Sequence, residues 1–245
     1  MIIVYDLGPA TLLKLSGFGA SPFVRTVVFI LRYKQLPYEL KPLDLTSIEP
    51  TARVLGAPPT STTGSSGSPK FTVPIIRDTT TGKVISDSTL IAEYLDTAYP
   101  DTPIVLPPGS RVLQKVFQSD FYGRLGPLYQ YAVGPKTVKY FPEDVQARFG
   151  SPEPTKEQVL EAFHQAGEKF GELSQIITSS TGEPSRKFIM GGKRPTFGDF
   201  SLVAFVYPLK FLYEEGEESE EWSKVRDLAH GWIGWEIDSI LKLVL

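Results

Sequence analysis

Apolar positions along the chain change period several times, and each change marks an element. "MIIVYDL", from Met1 to Leu7, is β-branched and apolar, which predicts a first strand. Val24, Val27, Val28 and Leu31 then recur at i, i+3, i+4 and i+7, the apolar stripe of an amphipathic helix. "LPYEL" and "KPLDL" predict a second strand near Tyr38 to Lys41, bounded by two prolines. "FTVPIIRD", "TTTG" and "KVISD" predict a β-hairpin with a Gly-containing turn. Leu90, Ile91, Tyr94 and Leu95 return to helical spacing, and Pro100 ends it. Beyond Gly109 the pattern is helical, around Arg111 to Leu128, Lys156 to Thr178, Phe197 to Glu214 and Trp222 to Leu243. There are no internal repeats.

The first half therefore reads as β-α-β, loop, β-β-α, and the second half as all helix. That order predicts an α/β thioredoxin-like domain over residues 1–99, a Pro-rich linker over 100–110, and an all-α domain over 111–245. "GAPPTSTTGSSGSPK", from Gly56 to Lys70, reads as a flexible loop. It lacks the Gly-Lys-Ser/Thr ending of a phosphate loop. "EEGEESEE", from Glu214 to Glu221, reads as a solvated acidic turn.

Composition removes several classes of function. A net charge of -3 and a pI near 5.6 give no bulk electrostatic case for nucleic acid or an anionic membrane. No apolar run approaches transmembrane length, and "MIIVYDL" shows no charged n-region or cleavage site. A cytoplasmic setting is expected and fits the absence of cysteine. The absence of cysteine excludes a disulfide framework, a protein thiolate and dithiol redox chemistry. With His164 and His230 the only histidines, no metal site is expected.

Four short motifs carry candidate chemistry. Ser21-Pro22 opens the first helix: Ser is a preferred N-cap and Pro suits the first helical position. The same helix end carries a partial positive charge, so it also suits an anion such as a thiolate, which only a bound thiol ligand supplies here. Val73-Pro74 precedes "IIRD". In the trans form it merely opens a strand; in the cis form it turns backbone groups outward to pair with an extended peptide. Asp87-Ser88 is either a helix cap or a grip on an amino-acid-like ligand, with Ser88 and helix amides on the carboxylate and Asp87 on the ammonium. Thr196 and Asp199 form a capping-box-like pair ahead of an apolar helix and read as folding elements.

"ASPFVRTVVF", "VPII", "DSTLIAEYL" and "PTFGDFSLVAF", in that order, resemble the cytosolic glutathione transferases over nearly the whole chain. "YDLGPA", "SIEPTARVLGAPPT" and "YPDTPIVLPPG" are similar to the family's etherase-related group and its fungal relatives. The resemblance implies a serine-type enzyme with Ser21 in place of a cysteine. It also implies that glutathione pairs in extended form against Val73 ahead of a cis Pro74, with its γ-glutamyl end on Asp87 and Ser88. Phe23 belongs to the same implied site. The implied chemistry is attack of the glutathione thiolate on a hydrophobic or aromatic electrophile, a peroxide or an aryl ether.

The electrophile site is expected between the two domains, with Phe23, Tyr122, Tyr129 and Tyr131 as candidates for its aromatic wall; core packing is the competing role of these rings. Gly17 and Gly19 predict an open, mobile loop beside Ser21. Lys70 is placed either near a glutathione carboxylate or in solvent. A ligand carrier for hydrophobic aromatic compounds, with little turnover, is the alternative function. A homodimer is expected from the family habit.

Overall fold

The computed structural model describes residues 1–63, 67–150, 152–178, 188–190, 192–213, 219–227 and 231–245. Two compact units form, one from Met1–Arg111 with Val244–Leu245 and one from Val112–Leu243.

The first unit is built on a four-stranded sheet of order β2-β1-β5-β6. Its strands are β1 (Ile2–Leu7), β2 (Tyr38–Leu43), β5 (Ile75–Asp78) and β6 (Val84–Ser86). β1 pairs with β2 in parallel and with β5 antiparallel, and β5 pairs antiparallel with β6. β2 lies at an edge, where Pro42 can stand without removing a ladder hydrogen bond from the sheet interior. Alternation along β1 sends Tyr5 into a cluster with Ala52, Ala57 and Ile75, against which Ile3 and Leu55 pack. Ile2, Val4 and Asp6 point to the other face.

Helices α1 (Ala10–Ser16), α2 (Pro22–Tyr33), α3 (Ile48–Leu55) and α4 (Ser88–Ala98) complete this unit. The pattern that predicts an apolar stripe on α2 understates it: every residue from Val24 to Leu31 is buried, Arg25 and Thr26 included. A helix buried all round contributes through each face, at roughly 1.5–3 kcal/mol per large apolar side chain. α1 and α3 lie where no helix is expected, each too short to show a long apolar period and each ended by a left-handed Gly, Gly17 and Gly56.

The segment expected as a flexible loop after Gly56 departs from that reading. β3 (Ser61–Thr63) and β4 (Ser68–Lys70) form a separate two-stranded sheet, pairing Ser61 with Lys70. Its base is tied down: the Thr60 amide donates to Lys70 O (2.9 Å), and the Thr60 and Thr72 hydroxyls meet at 2.9 Å. Ser/Thr-rich composition marks both loops and strands, because Thr is β-branched. Residues 64–66 of that segment lie outside the described residues.

Among its described residues the second unit has helices and no strands. It contains α5 (Arg111–Arg124), α6 (Gly126–Leu128), a π-helical turn (Tyr129–Val133), α7 (Gly134–Val138), α8 (Glu143–Phe149), α9 (Lys156–Thr178), α10 (Phe197–Tyr213), α11 (Ser219–Asp227) and α12 (Trp232–Val244). α10 is its core helix, with Phe197, Phe200, Leu202, Val203 and Val206 essentially inaccessible. The single helix expected from Trp222 to Leu243 is instead two, and Gly231, with φ of 78°, precedes the second. Residues 214–218, most of the acidic run expected as a turn, and His230 lie outside the described residues. Among the described residues, no helix is long and apolar enough to cross a membrane.

Candidate functional site

Three of the four motifs gather at one end of the first unit's sheet. The Tyr5–Ile75–Ser86 register puts residues after Tyr5, before Ile75 and after Ser86 at the same end. Val73-Pro74 stands just before Ile75, and Asp87-Ser88 just after Ser86. The Gly19–Ala20 segment reaches that end too: the Gly19 amide donates to Asp6 Oδ2 (2.7 Å) and the Ala20 amide to Leu7 O (2.7 Å). Ser21 follows directly.

Ser21 is the N-cap of α2, with Pro22 at the first helical position. Its hydroxyl oxygen accepts from the Val24 amide (3.3 Å), satisfying one of the helix's unpaired donors. A hydroxyl carries one proton besides its lone pairs, and among the described residues the Ser21 proton donates to nothing. Only 7% of Ser21 is exposed, so that donor sits where water competes weakly. Phe23, half-buried, occupies the next helical turn position.

The Val73-Pro74 peptide bond is cis, and both residues are buried. Asp87 caps α4: its Oδ1 accepts from the Thr89 amide (2.8 Å) and the Leu90 amide (3.2 Å). Its φ of 76° lies in the region that favours glycine, at a cost of about 1–3 kcal/mol for a side-chain-bearing residue. Ser88, 1% exposed, has a hydroxyl without a hydrogen-bond partner among the described residues. A buried, unpaired hydroxyl at a helix N-terminus suits a carboxylate ligand. Lys70 is exposed.

The loop beside Ser21 corrects an expectation. Gly17 is the left-handed C-cap of α1, with φ of 75°. Gly19 is buried: a Cβ added there would press on Leu7 O and lie 2.6 Å from Asp6 Cγ. Here glycine serves close approach rather than mobility. Arg25 Nη2 donates to Gly19 O (3.0 Å), and its guanidinium lies over the Phe18 ring at 5.6 Å. Burial pushes the Asp6 carboxyl up to about 6, against the pull of the Gly19 amide, the Arg25 charge and the Leu7 and Ser21 amides. Motif reading misses Asp6 and Arg25, although an acid inside "IIVYDL" and a cation inside "FVRTVVF" are both out of place in apolar runs.

Of the four rings expected in the aromatic wall, Phe23 belongs to the first unit and Tyr122, Tyr129 and Tyr131 to the second, where two of them take part in packing. The Tyr122 ring stacks on Phe205 at 3.5 Å, and the Tyr129 hydroxyl donates to Phe205 O (2.9 Å) with its ring 5.0 Å from the same Phe. Tyr131 is half-buried on the π-helical turn. Thr196 and Asp199 do cap α10: the Thr196 amide and hydroxyl both donate to Asp199 Oδ2, at 2.7 and 2.6 Å. The Ile189 amide adds a third bond, to Oδ1 (2.6 Å). Among the described residues no group of three or more His, Asp or Glu could hold a metal ion.

Comparison with known proteins gives a consistent picture. The family "Glutathione S-transferase, N-terminal domain" matches residues 20–98, and "Glutathione S-transferase, C-terminal domain" matches residues 109–242. A glutathione S-transferase of Ceriporiopsis subvermispora, solved in complex with glutathione, is similar at 25% identity and TM-score 0.84, covering 100% of this chain and 98% of that one. Glutathione transferase GSTFuA3 of Phanerochaete chrysosporium is similar at 25% identity and TM-score 0.77, covering 100% and 97%. A glutathione S-transferase of Rhodospirillum rubrum, at 18% identity and TM-score 0.59 over 98% and 92%, shares the fold. No curated protein matches the chain at a significant level of sequence similarity.

Proposed function

Because the chain belongs to the glutathione S-transferase family, we propose that it is a serine-type transferase that binds glutathione at the sheet end shared by Ser21, Val73-Pro74 and Asp87-Ser88. The carrying observation is the unspent proton of the buried Ser21 hydroxyl at the N-terminus of α2. A thiol bound there gains one hydrogen bond and the helix-end charge only when ionised, so its pKa falls from an unperturbed value near 8.5. The thiolate then attacks the electrophilic centre. A bond from sulfur forms as the bond to the leaving group breaks, the leaving group departs with that electron pair, and the proton lost from the thiol passes to solvent.

With no cysteine in the chain, the sulfur nucleophile must be the ligand's. In this reading residues 1–99 are the glutathione-binding domain, joined by 100–110 to the helical domain of residues 111–245. The Ser88 hydroxyl and the amides at the start of α4 take the γ-glutamyl carboxylate, and Asp87 takes its ammonium. Hydrophobic and aromatic electrophiles, with peroxides or aryl ethers among them, are the substrate class.

Ser21→Ala tests the reading. The variant should lose about 100-fold in turnover while keeping most of its glutathione affinity, the loss typical of removing one donor to a reacting anion. Unchanged turnover removes Ser21 from the mechanism, and absence of glutathione binding to the native protein removes the whole reading. We further propose a homodimer through α5, on which Val112, Leu113 and Val116 are 70%, 59% and 59% exposed. Sedimentation checks it, and Val116→Glu should shift the protein toward monomer.

A further inference from the structure

Asp6 is a fully buried carboxylate at the end of β1, on the face that α2 covers. Such a group is costly to bury unless hydrogen bonds and a nearby opposite charge offset the lost hydration. Its two oxygens are divided between two amides. Oδ1 takes the amide of its own strand neighbour Leu7 (2.8 Å), and Oδ2 reaches across thirteen residues to the Gly19 amide (2.7 Å). Leu7 O takes the next amide, that of Ala20. Arg25 closes the loop from the other side, donating to Gly19 O from a helix whose first turn begins at Ser21, and the Arg25 amide itself donates to Ser21 O (3.1 Å). Strand end, loop and helix start are thus joined in one ring of hydrogen bonds.

We propose that Asp6 is a positioning residue, whose carboxylate fixes the Gly19–Ser21 segment against β1 and thereby aims the Ser21 hydroxyl at the glutathione sulfur. The inference rests on the reading of Ser21 given above. Arg25 is its partner in this role, clamping the carbonyl of the same Gly19 whose amide Asp6 holds. Gly19 is required because a side chain there would collide with both Leu7 O and the Asp6 carboxyl. Asp6 touches no reacting atom. Its effect is to place one that does, and displacement of a group by a fraction of an ångström is enough to slow a reaction.

Asp6→Asn tests this with a near-isosteric side chain. The amide offers one oxygen and one NH2, so either the Leu7 or the Gly19 N–H must face a donor. Three readouts follow: kcat and KM for glutathione with a chlorinated nitroaromatic electrophile, the pKa of bound glutathione from thiolate ultraviolet absorbance, and hydrogen exchange of the Gly19 and Ala20 amides. The expected result is a kcat about tenfold lower with KM for glutathione changed less than twofold, a bound-thiol pKa closer to the free value, and faster exchange at Gly19 and Ala20. Native kcat and native bound-thiol pKa in the variant overturn the proposal.

If the native protein itself fails to lower the glutathione pKa, the reading of Ser21 fails, and with it the catalytic part of this proposal. Exchange at Gly19 and Ala20 then decides the clamp alone: faster exchange in Asp6→Asn upholds it, and unchanged exchange overturns it. Should Asp6→Asn not fold, Arg25→Lys carries the same readouts, since it keeps the charge beside Asp6 and loses the guanidinium bond to Gly19 O. The same split of kcat from KM is expected there, and full native kinetics overturn the proposal.

Discussion

Lys34 and Asp96 form an ion pair of 2.6 Å in which the Lys34 side chain is wholly inaccessible. The pair ties the C-terminal end of α2 to α4 and to the chain that leaves α4. Lys34 Nζ also donates to Thr102 Oγ1 (3.0 Å) and Pro103 O (2.8 Å), while Asp96 accepts from the amides of Val105 (3.1 Å) and Leu106 (2.8 Å). Asp96, Thr102 and Pro103 thus give the ammonium three acceptors, which offsets the cost of burying it. Lys34→Met leaves Asp96 with its two amides and without the Lys34 ammonium. It should cost about 3 kcal/mol in denaturant unfolding, and the double variant Lys34→Met, Asp96→Leu should cost less than the sum of the single changes. Additive losses would show that the two groups act independently.

Asp6 predicts a pH dependence of stability whose sign is opposite to that of most carboxylates. Its folded pKa is raised from 3.8 to about 6, chiefly by burial. Below about pH 4 it is neutral in both folded and unfolded chains, and the stabilisation is complete. As pH rises through that interval the unfolded chain loses its proton first, so the folded chain holds more protons and stability falls until Asp6 ionises near 6. Two pKa units correspond to about 3 kcal/mol. The stability of the native protein relative to Asp6→Asn should fall by that order between pH 4 and 7 in urea titrations. A flat difference would mean that the carboxyl is not perturbed.

The fold and much of the candidate site are legible in the sequence wherever the signal is local. Ser21-Pro22 starts a helix because both residues suit the first turn, and Thr196 with Asp199 caps α10 because the spacing puts the acid over the orphan amides. Asp6 and Arg25 escape such reading because their meaning is tertiary. They stand nineteen positions apart in the chain, and only folding brings both to Gly19. The β3–β4 hairpin is hidden by composition, since Ser, Gly and Thr mark loop and strand alike. The aromatic wall shows a different limit. Spacing cannot tell a ring that lines a pocket from one that packs on Phe205, as Tyr122 and Tyr129 do.

Glu236, on α12, is fully buried beside Asp199, and among the described residues neither of its carboxyl oxygens has a well-formed hydrogen bond. Burial first, and then the charge of Asp199, push its carboxyl up to about 11, so it is neutral near pH 7. Asp199, also raised by burial, holds the capping bonds and is the member of the pair that ionises. Stability from a raised carboxyl is complete below its unfolded value of 4.5 and declines as pH rises toward the folded value. Glu236→Gln removes that decline. It should match the native protein near pH 4 and exceed it by about 3 kcal/mol at pH 7. Equal stability at both pH values would show that Glu236 finds a partner for its charge.

Ser88 separates a binding role from a structural one by a sign. Its hydroxyl is buried and, among the described residues, unpaired, and such a group destabilises the folded chain by the cost of its lost hydration, about 1–3 kcal/mol. Ser88→Ala should therefore leave stability unchanged or raise it in thermal unfolding without ligand. If the hydroxyl instead serves the glutathione carboxylate, the same variant loses a hydrogen bond to a charged group. KM for glutathione should then rise about tenfold or more, with kcat at saturating glutathione close to native. Ser21→Ala should show the reverse division, with kcat lost and KM kept. A Ser88→Ala protein that is less stable and binds glutathione normally would make this hydroxyl a structural group and move the carboxylate site away from the start of α4.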